Sequence, residues 1–279
     1  MRLFVDNLTN VDFSYLCPAR GLVGETWIAH LELEGELDHQ GMVCDFGIVK
    51  KAARQWLDSE MDHRLVVPKN SEHISIFSGE YGLEIQLDST PGKISVKSPE
   101  QAFCLAEVGS VTPHNMAHWC EEKLKECFGH GVSRLVVRFT EEDIHGPYYH
   151  YSHGLKKHDG NCQRIAHGHR SKIQIWRNGE LCTQSMTDWA EGWKDIYIGT
   201  QMDCVRKDDT HTSFAYQAAQ GAFELTLPTS CCYFIDQDST VENIALHIAT
   251  QLATQHPGEQ FTVKAYEGWS KGAIAEAKH

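Results

Sequence analysis

The chain has 279 residues, of which 41% are apolar, so it can bury a substantial core in one or two domains. Its formal charge of −13, from 25 basic and 38 acidic residues, argues against nucleic acid as a main partner, because phosphate contacts need a basic surface. The 10 cysteines lack the spacing of a disulfide framework, and neither a secretory signal pattern nor an apolar run of about 18 residues is present, which together predict a cytoplasmic protein that does not enter a membrane.

Two strands with one pattern occur in the two halves of the chain. Residues 27–37 (WIAHLELEGEL) and 171–181 (SKIQIWRNGEL) alternate apolar and polar side chains and end in the same Gly-Glu-Leu sequence. A helix is predicted after each strand. The first opens at Asp45 and the second at Asp188, because Asp is a favoured N-cap residue.

A second pair of similar segments follows. Helices are predicted to open at Thr112 and Thr240, and each leads into an alternating strand that ends in Glu, residues 137–141 and 263–267. Each half therefore predicts an α+β fold in which antiparallel strands dominate and two helices cover one face. We place the domains at 1–141 and 142–279. No Pro/Gly/Ser-rich linker separates them, so the halves are expected to share an interface.

A histidine pair begins one of these strands. His167 and His169 flank Gly168, and residues i and i+2 of a strand point to the same face, so the two imidazoles can share a metal. The segment before them, residues 149–153, is also strand-like, and His153 is the expected third ligand if the two strands pair. Three imidazoles with one open position are typical of catalytic Zn²⁺. The competing histidines are His145, His150 and His158.

Each of these features has an ordinary interpretation when it is taken alone. The chain contains 17 histidines, so a single His-x-His is weak evidence for a metal site. Asp62-His63 by itself is more often a turn, and Cys162 by itself is more often an inert thiol. Only the assembled set predicts a functional site.

Several motifs taken together resemble the 6-pyruvoyltetrahydropterin synthase / 6-carboxytetrahydropterin synthase family. They are Tyr149-x-x-x-His153-x-Leu155, Gly160-Asn161-Cys162 and His167-Gly168-His169, with Gly41-Met42-Val43-x-Asp45-Phe46, Met61-Asp62-His63, Thr240-x-Glu242-Asn243 and Glu267. Asn161 stands where the family has Lys. Since the motifs come from both halves, the resemblance covers nearly the whole chain.

The resemblance implies two tandem T-folds, each a four-stranded antiparallel sheet with two helices on one face. It also implies a homo-oligomer, because single T-folds form rings with active sites at subunit interfaces. The implied activity is a lyase reaction on 7,8-dihydroneopterin triphosphate in queuosine or 7-deazaguanine biosynthesis. The alternatives are 6-pyruvoyltetrahydropterin synthase-like activity and a non-catalytic zinc- or pterin-binding relative.

The resemblance also implies a role for each site residue. Zn²⁺ is bound by His153, His167 and His169. Cys162 is the general base, Asp62 orients His63 for proton transfer, and Glu267 anchors the pterin.

The two halves divide these motifs between them. Aligning the halves along the sequence places Cys17, Val23 and Glu25 where the three zinc histidines stand, and it places Asp203-Cys204 where Asp62-His63 stands. The N-terminal half thus lacks the metal triad and supplies the Asp-His pair, in cis or from another chain. One zinc per chain is predicted, and the complementary site is expected to be inert.

Overall fold

The computed structural model describes residues 1–128 and 132–279. The first half contains β1 (Arg2–Cys17), β2 (Gly21–Gly35), α1 (Phe46–Glu60), β3 (Leu65–Pro68), β4 (Ile74–Gly79), β5 (Gly82–Asp88), β6 (Lys93–Ser98), β7 (Phe103–Ala106), α2 (Pro113–Leu124) and β8 (Val132–Thr140). The second half contains β9 (Tyr148–His153), β10 (His167–Arg177), β11 (Glu180–Leu181), α3 (Thr183–Gly192), β12 (Ile196–Thr200), β13 (Cys204–Lys207), β14 (His211–Ala218), β15 (Gly221–Pro228), β16 (Cys232–Ile235), α4 (Val241–Gln255), β17 (Gln260–Tyr266) and β18 (Gly272–Lys278).

The strands form three sheets, and two of these repeat one topology. The first sheet has the order β7-β3-β1-β2-β8, and the second has the order β16-β12-β9-β10-β17-β18, with β11 paired to β10. In both sheets the two strands on one side run parallel to their neighbours, whereas the remaining pairs are antiparallel. The α+β class and the repeated architecture predicted from the sequence are therefore present.

The expectation of one four-stranded antiparallel sheet per half is too simple. The second half has four antiparallel strands, β9-β10-β17-β18, but the corresponding set in the first half has three, β1, β2 and β8. Each half also sends three strands into a common sheet of the order β13-β14-β15-β6-β5-β4. In that sheet Leu225 pairs with Val96, so the two halves are joined by main-chain hydrogen bonds that a strand pattern alone does not reveal.

Three of the four predicted helix starts are confirmed. The side chain of Asp45 accepts hydrogen bonds from the first turn of α1, and Thr112 and Thr240 cap α2 and α4 in the same way. The N-cap assigned to Asp188 is wrong, because this residue lies inside α3, which begins after Cys182. The helix starts earlier because the apolar residues that bury it against the sheet begin before Asp188.

Two layers of apolar side chains hold the helices on the repeated sheets. In the first half, Phe13, Trp27 and Leu57 belong to one buried cluster under α1 and α2. In the second half, Ile175 and Ile248 belong to the equivalent cluster under α3 and α4. Burial of this apolar surface is the main favourable term in folding, so each half has its own core. Within the described ranges, no helix combines the length and apolar character needed to cross a membrane.

The two repeated sheets meet where their backbones nearly touch. A Cβ on Gly24 would lie 1.8 Å from the carbonyl oxygen of Tyr151, and a Cβ on Gly168 would lie 2.7 Å from the Cα of Gly24. Beside them the hydroxyl groups of Ser14 and Ser152 form a buried hydrogen bond of 2.7 Å. Only glycine permits this approach, and it brings the first half against the strands that carry the histidines.

The strand register gives the correspondence between the halves. Ser14 pairs with Gly24 and, on its other side, with Leu65, just as Ser152 pairs with Gly168 and with Tyr197. A position in β1 or β2 can therefore be matched to its counterpart in β9 or β10 without reference to the loops between them.

Candidate functional site

Three imidazoles converge at the ends of β9 and β10. His153 lies directly opposite His167 in the register, and His169 follows two residues later on the same face. All three side chains are fully buried, and the candidate ligand atoms lie within 4.8 Å of one another. The pairing of these two strands, expected from the sequence, is what brings the three histidines together.

The second nitrogen of each imidazole already has a partner. Nδ1 of His153 donates to the carbonyl of Ser239 at 2.9 Å, and Nδ1 of His167 donates to the carbonyl of Arg164 at 3.0 Å. Because carbonyl oxygens only accept, both protons sit on Nδ1 and both Nε2 atoms present lone pairs. Burial also holds the pKa of each of these two side chains below its usual range, so the neutral form that a metal requires is favoured.

The three Nε2 atoms converge on one buried position. Those of His153 and His169 are 3.2 Å apart, and Nε2 of His167 is buried without a hydrogen-bond partner among the described residues. Nε2 of His167 therefore presents a buried lone pair without a donor, which is unfavourable unless a cation lies beside it. The donor set therefore fits a divalent metal, and three neutral imidazoles suit zinc.

Asp12, which the sequence analysis missed, supports the third histidine from the other half of the chain. Its Oδ1 lies 3.2 Å from Nδ1 of His169, which is within ion-pair distance, but the two groups are not aligned for a hydrogen bond. The same oxygen accepts a hydrogen bond from Thr26 Oγ1 at 2.6 Å. Burial opposes ionisation of this carboxyl, but its contacts with the His169 imidazole, the Lys271 ammonium and the Thr26 hydroxyl outweigh burial and lower its pKa. A single charged residue in the largely apolar stretch VDFSYL was the available signal.

Asp62, His63 and Cys162 form a second cluster beside the first. His63 Nδ1 donates to Asp62 at 2.5 Å, and candidate ligand atoms of His63, Cys162 and His167 lie within 4.8 Å of one another. Burial works against protonation of His63, but Asp62 and the Cys162 sulfur outweigh it and raise its pKa to about 10. Since Cys162 belongs to the second half and His63 to the first, one chain brings both together in cis.

The backbone around His63 fixes this position. His63 has a positive φ of 53°, its N–H donates to the carbonyl of Asp12 at 2.7 Å, and the N–H of Asp12 donates to the carboxylate of Asp62 at 2.8 Å. A histidine in the left-handed region is uncommon and is held there by these contacts. The turn after α1 therefore presents the Asp62-His63 pair to the second half.

Glu267 lies at the edge of the same site. Its carboxylate is 3.9 Å from Nε2 of His169 and 3.8 Å from the ammonium group of Lys271, and it is partly exposed. The three competing histidines are elsewhere: His150 donates to the carbonyl of Gly24, His158 accepts from the N–H of Gly160, and the side chain of His145 is 87% exposed.

The register corrects two of the sequence alignments between the halves. Tyr15 pairs with Val23 as His153 pairs with His167, so Tyr15, not Cys17, is the counterpart of the first ligand. The turn after α3, with Asp195 at a positive φ of 56°, corresponds to His63, so Lys194-Asp195 and not Asp203-Cys204 matches the Asp-His pair. The loops between the strands differ in length, which shifted an alignment made along the sequence.

The counterpart site is filled by an ion pair. The guanidinium of Arg20 donates to both carboxylate oxygens of Asp195 at 2.9 and 2.5 Å, and to the hydroxyl of Tyr15 at 3.2 Å. Glu25 is the counterpart of His169, and His150 is the counterpart of Asp12. Glu25 lies 3.8 Å from His150, so the acid–imidazole contact is present in both halves with the acid and the imidazole exchanged. In this position the described residues offer no imidazole triad, because Tyr15, Val23 and Glu25 stand where the three histidines do.

Comparison with known proteins agrees with this repeated architecture. The family described as 6-pyruvoyl tetrahydropterin synthase matches the chain twice, over residues 17–148 and 144–278. The chain belongs to the 6-pyruvoyl tetrahydropterin synthase family. The resemblance predicted from the sequence motifs is confirmed, including its tandem form.

Individual proteins that are similar to this chain have related names. A 6-carboxy-5,6,7,8-tetrahydropterin synthase of Pyrococcus horikoshii is 26% identical over 132 residues, which is 47% of this chain and 76% of the relative. A protein of the same name from Rickettsia typhi is 40% identical over 37 residues, 13% of this chain and 27% of the relative. The crystal structure of 6-pyruvoyl tetrahydropterin synthase from Plasmodium vivax is similar with a TM-score of 0.44 and 18% identity, covering 52% of this chain and 93% of that one.

Proposed function

We propose that this chain is a zinc-dependent 6-carboxy-5,6,7,8-tetrahydropterin synthase that acts on 7,8-dihydroneopterin triphosphate, in queuosine or 7-deazaguanine biosynthesis. The observation that carries the proposal is the convergence of three buried imidazole Nε2 atoms beside a thiol and an Asp-His pair. The names of the archaeal and bacterial relatives support the 6-carboxy product.

His153, His167 and His169 would hold the zinc. When bound, the ion supplies Lewis-acid polarisation of oxygen atoms on the substrate side chain. The protein contributes the support behind the ligands: the carbonyls of Ser239 and Arg164 fix two tautomers, and Asp12 lies behind the third imidazole.

Cys162 and His63 are placed to move protons between carbons of the substrate side chain. The thiol of Cys162 is partly buried next to the His63 imidazole, where it would serve as the general base. Asp62 holds His63 Nδ1–H, so Nε2 is the atom that would take up and return a proton.

Glu267 would anchor the pterin ring. A carboxylate accepts two parallel hydrogen bonds from the N–H edge of a 2-amino-4-oxo ring, and Glu267 lies beside the metal triad with part of its surface open to solvent. With the ring held there, the side chain of the substrate extends toward the histidines.

Turnover tests the proposal directly. Zinc-loaded protein is incubated with 7,8-dihydroneopterin triphosphate, and the 6-carboxy product, acetaldehyde and triphosphate are measured. We expect all three from the unmodified chain and from Cys127→Ala, an exposed thiol outside the site, and none from Cys162→Ala. Product without acetaldehyde would instead indicate a 6-pyruvoyl-type reaction, and no turnover would contradict catalysis. A homo-oligomer stays a prediction, which light scattering of the same sample tests.

A further inference from the structure

A buried arginine beside the site has no counter-ion. Arg164 is only 5% exposed and lies in the loop between Cys162 and His167. Its Nε donates to the side-chain oxygen of Gln220 at 3.0 Å and its Nη1 to the carbonyl of His63 at 3.3 Å, both neutral acceptors. Among the described residues, no carboxylate forms an ion pair with it within 4 Å, and Asp62 and Glu60 act on it only from farther away. Buried charges in proteins are normally paired directly.

A second arginine lies next to it. Arg64 directly follows His63, its Nη1 donates to the carbonyl of Phe103 at 3.0 Å, and its Nε is buried without a partner in the described part of the chain. Its one carboxylate neighbour within 4 Å, among those described residues, is Glu60 at 3.6 Å, a side chain that is 43% exposed. The carbonyl that accepts from Arg164 belongs to His63, the residue that precedes Arg64, so both arginines lie beside the same peptide unit.

The neighbouring lysines do not serve the same purpose. Lys156 and Lys157 also lie in the loop before the histidine strand, but Lys156 pairs with Asp203 and Lys157 with Asp238. Two like charges held together beside Cys162 and His63, with their hydrogen-bonding capacity unfilled, are the arrangement that an oxyanion stabilises.

The two arginines lie beside the histidine triad and have no equivalents at the counterpart site. By the strand register, the counterpart of Arg64 in the other half is Ile196, an apolar residue. The loop that carries Arg164 corresponds to the tight turn between β1 and β2, where Arg20 is already paired with Asp195. This pair of arginines is therefore not a general feature of the repeated fold, because it occurs where the metal ligands are.

We propose that Arg64 and Arg164 form a polyphosphate subsite that binds the triphosphate group of the substrate. Guanidinium groups match phosphate oxygens with two parallel hydrogen bonds, and phosphate would supply the direct counter-ion that Arg164 lacks. The identity of the natural ligand rests on the proposed function, but the capacity to bind a polyphosphate does not.

Calorimetric titration with inorganic tripolyphosphate tests the subsite in the zinc-loaded protein. We expect Arg164→Gln and Arg64→Gln each to weaken binding by roughly 10- to 100-fold, as for loss of a charge-assisted contact. The matched control Lys157→Gln should change it by less than about 2-fold, since that ammonium is paired and exposed. Equal loss in the control, or unchanged binding in both arginine variants, would overturn the proposal.

Two further measurements separate the competing explanations. His153→Asn removes a metal ligand; tripolyphosphate binding that persists in it supports the arginine subsite, and binding that vanishes assigns the anion to the metal instead. If Arg164→Gln fails to fold by circular dichroism, Arg64→Gln carries the test, with Arg64→Lys expected to recover part of the affinity.

The same titration distinguishes this inference from the proposed function. Arginine-dependent binding of tripolyphosphate without turnover would support the subsite and contradict the enzyme activity. Turnover with an unchanged KM in both glutamine variants would support the activity and overturn the subsite.

Discussion

The contact between the two sheets gives a prediction that links stability to the site. Gly24→Ala places a methyl group 1.8 Å from the carbonyl oxygen of Tyr151 and 2.7 Å from the backbone nitrogen of His169. A carbon and an oxygen ordinarily stay about 3.3 Å apart, so the sheets must separate by roughly 1.5 Å. Both obstructing atoms are backbone, so neither moves aside by a rotamer change.

The expected loss of folding stability is at the upper end of the range for substitutions that overpack a core. Such substitutions typically destabilise by about 1–3 kcal/mol, and we expect about 3 kcal/mol or more here. For a chain of this size that corresponds to a fall in Tm on the order of 6 °C or more. Because the displaced strand carries His169, zinc content should also fall, and a shift of about 1 Å in the ligands reduces turnover by roughly 100-fold.

Thermal unfolding and metal analysis of the purified variant provide the assay. The matched control is Gly109→Ala, where a Cβ meets no atom within 4 Å and φ is not positive, so its stability should stay within about 0.5 kcal/mol of the unmodified chain. Should Gly24→Ala match that control in both Tm and zinc content, the close approach of the two sheets would be refuted.

Further predictions follow from the site and from its counterpart. Metal analysis of the purified chain should give one zinc per chain, and a value of two would contradict the assignment of the counterpart as metal-free. Because His63 and Cys162 meet within one chain, a mixture of His63→Ala and Cys162→Ala chains should show no recovered turnover; recovery would show pairing between chains. Burial raises the pKa of Glu25 to about 8 from 4.5, so the native state keeps a proton that the unfolded chain releases. The free energy of unfolding should therefore fall as pH rises from about 4.5 to 8, by up to roughly 1.4 kcal/mol per unit, and Glu25→Gln should flatten this slope in denaturant titrations at several pH values. Asp195→Ala leaves Arg20 without its partner and should lower stability by roughly 2 kcal/mol, less than for a fully buried pair, with zinc content unchanged.

The predictable part of the site came from local spacing. His167 and His169 are two residues apart in an alternating strand, and that period alone places both imidazoles on one face. The helix starts at Thr112 and Thr240 were predictable for the same reason, since capping depends on residues within one turn. The prediction that Asp188 begins a helix was wrong because a residue type that favours N-caps is also tolerated inside a helix, and the buried positions of α3 begin before Asp188.

Contacts between distant segments could not be derived in this way. Asp12 and Arg164 carry no motif, and their roles depend on what lies across the interface: His169 for the first, and His63 and Arg64 for the second. The alignment that named Cys17 failed because the loops between the paired strands differ in length, and only hydrogen-bond register fixes which residues are equivalent.

The sequence by itself determined the α+β class, the duplication and the set of chemically capable side chains, because strand alternation, capping and His-x-His spacing act over a few residues. Only the tertiary structure decided that Asp62 and His63 reach Cys162 in the same chain, and that an Arg20–Asp195 ion pair occupies the other half's counterpart. Both outcomes depend on the close approach of two sheets through Gly24 and Gly168, a packing geometry that becomes defined only when the two halves are folded against each other.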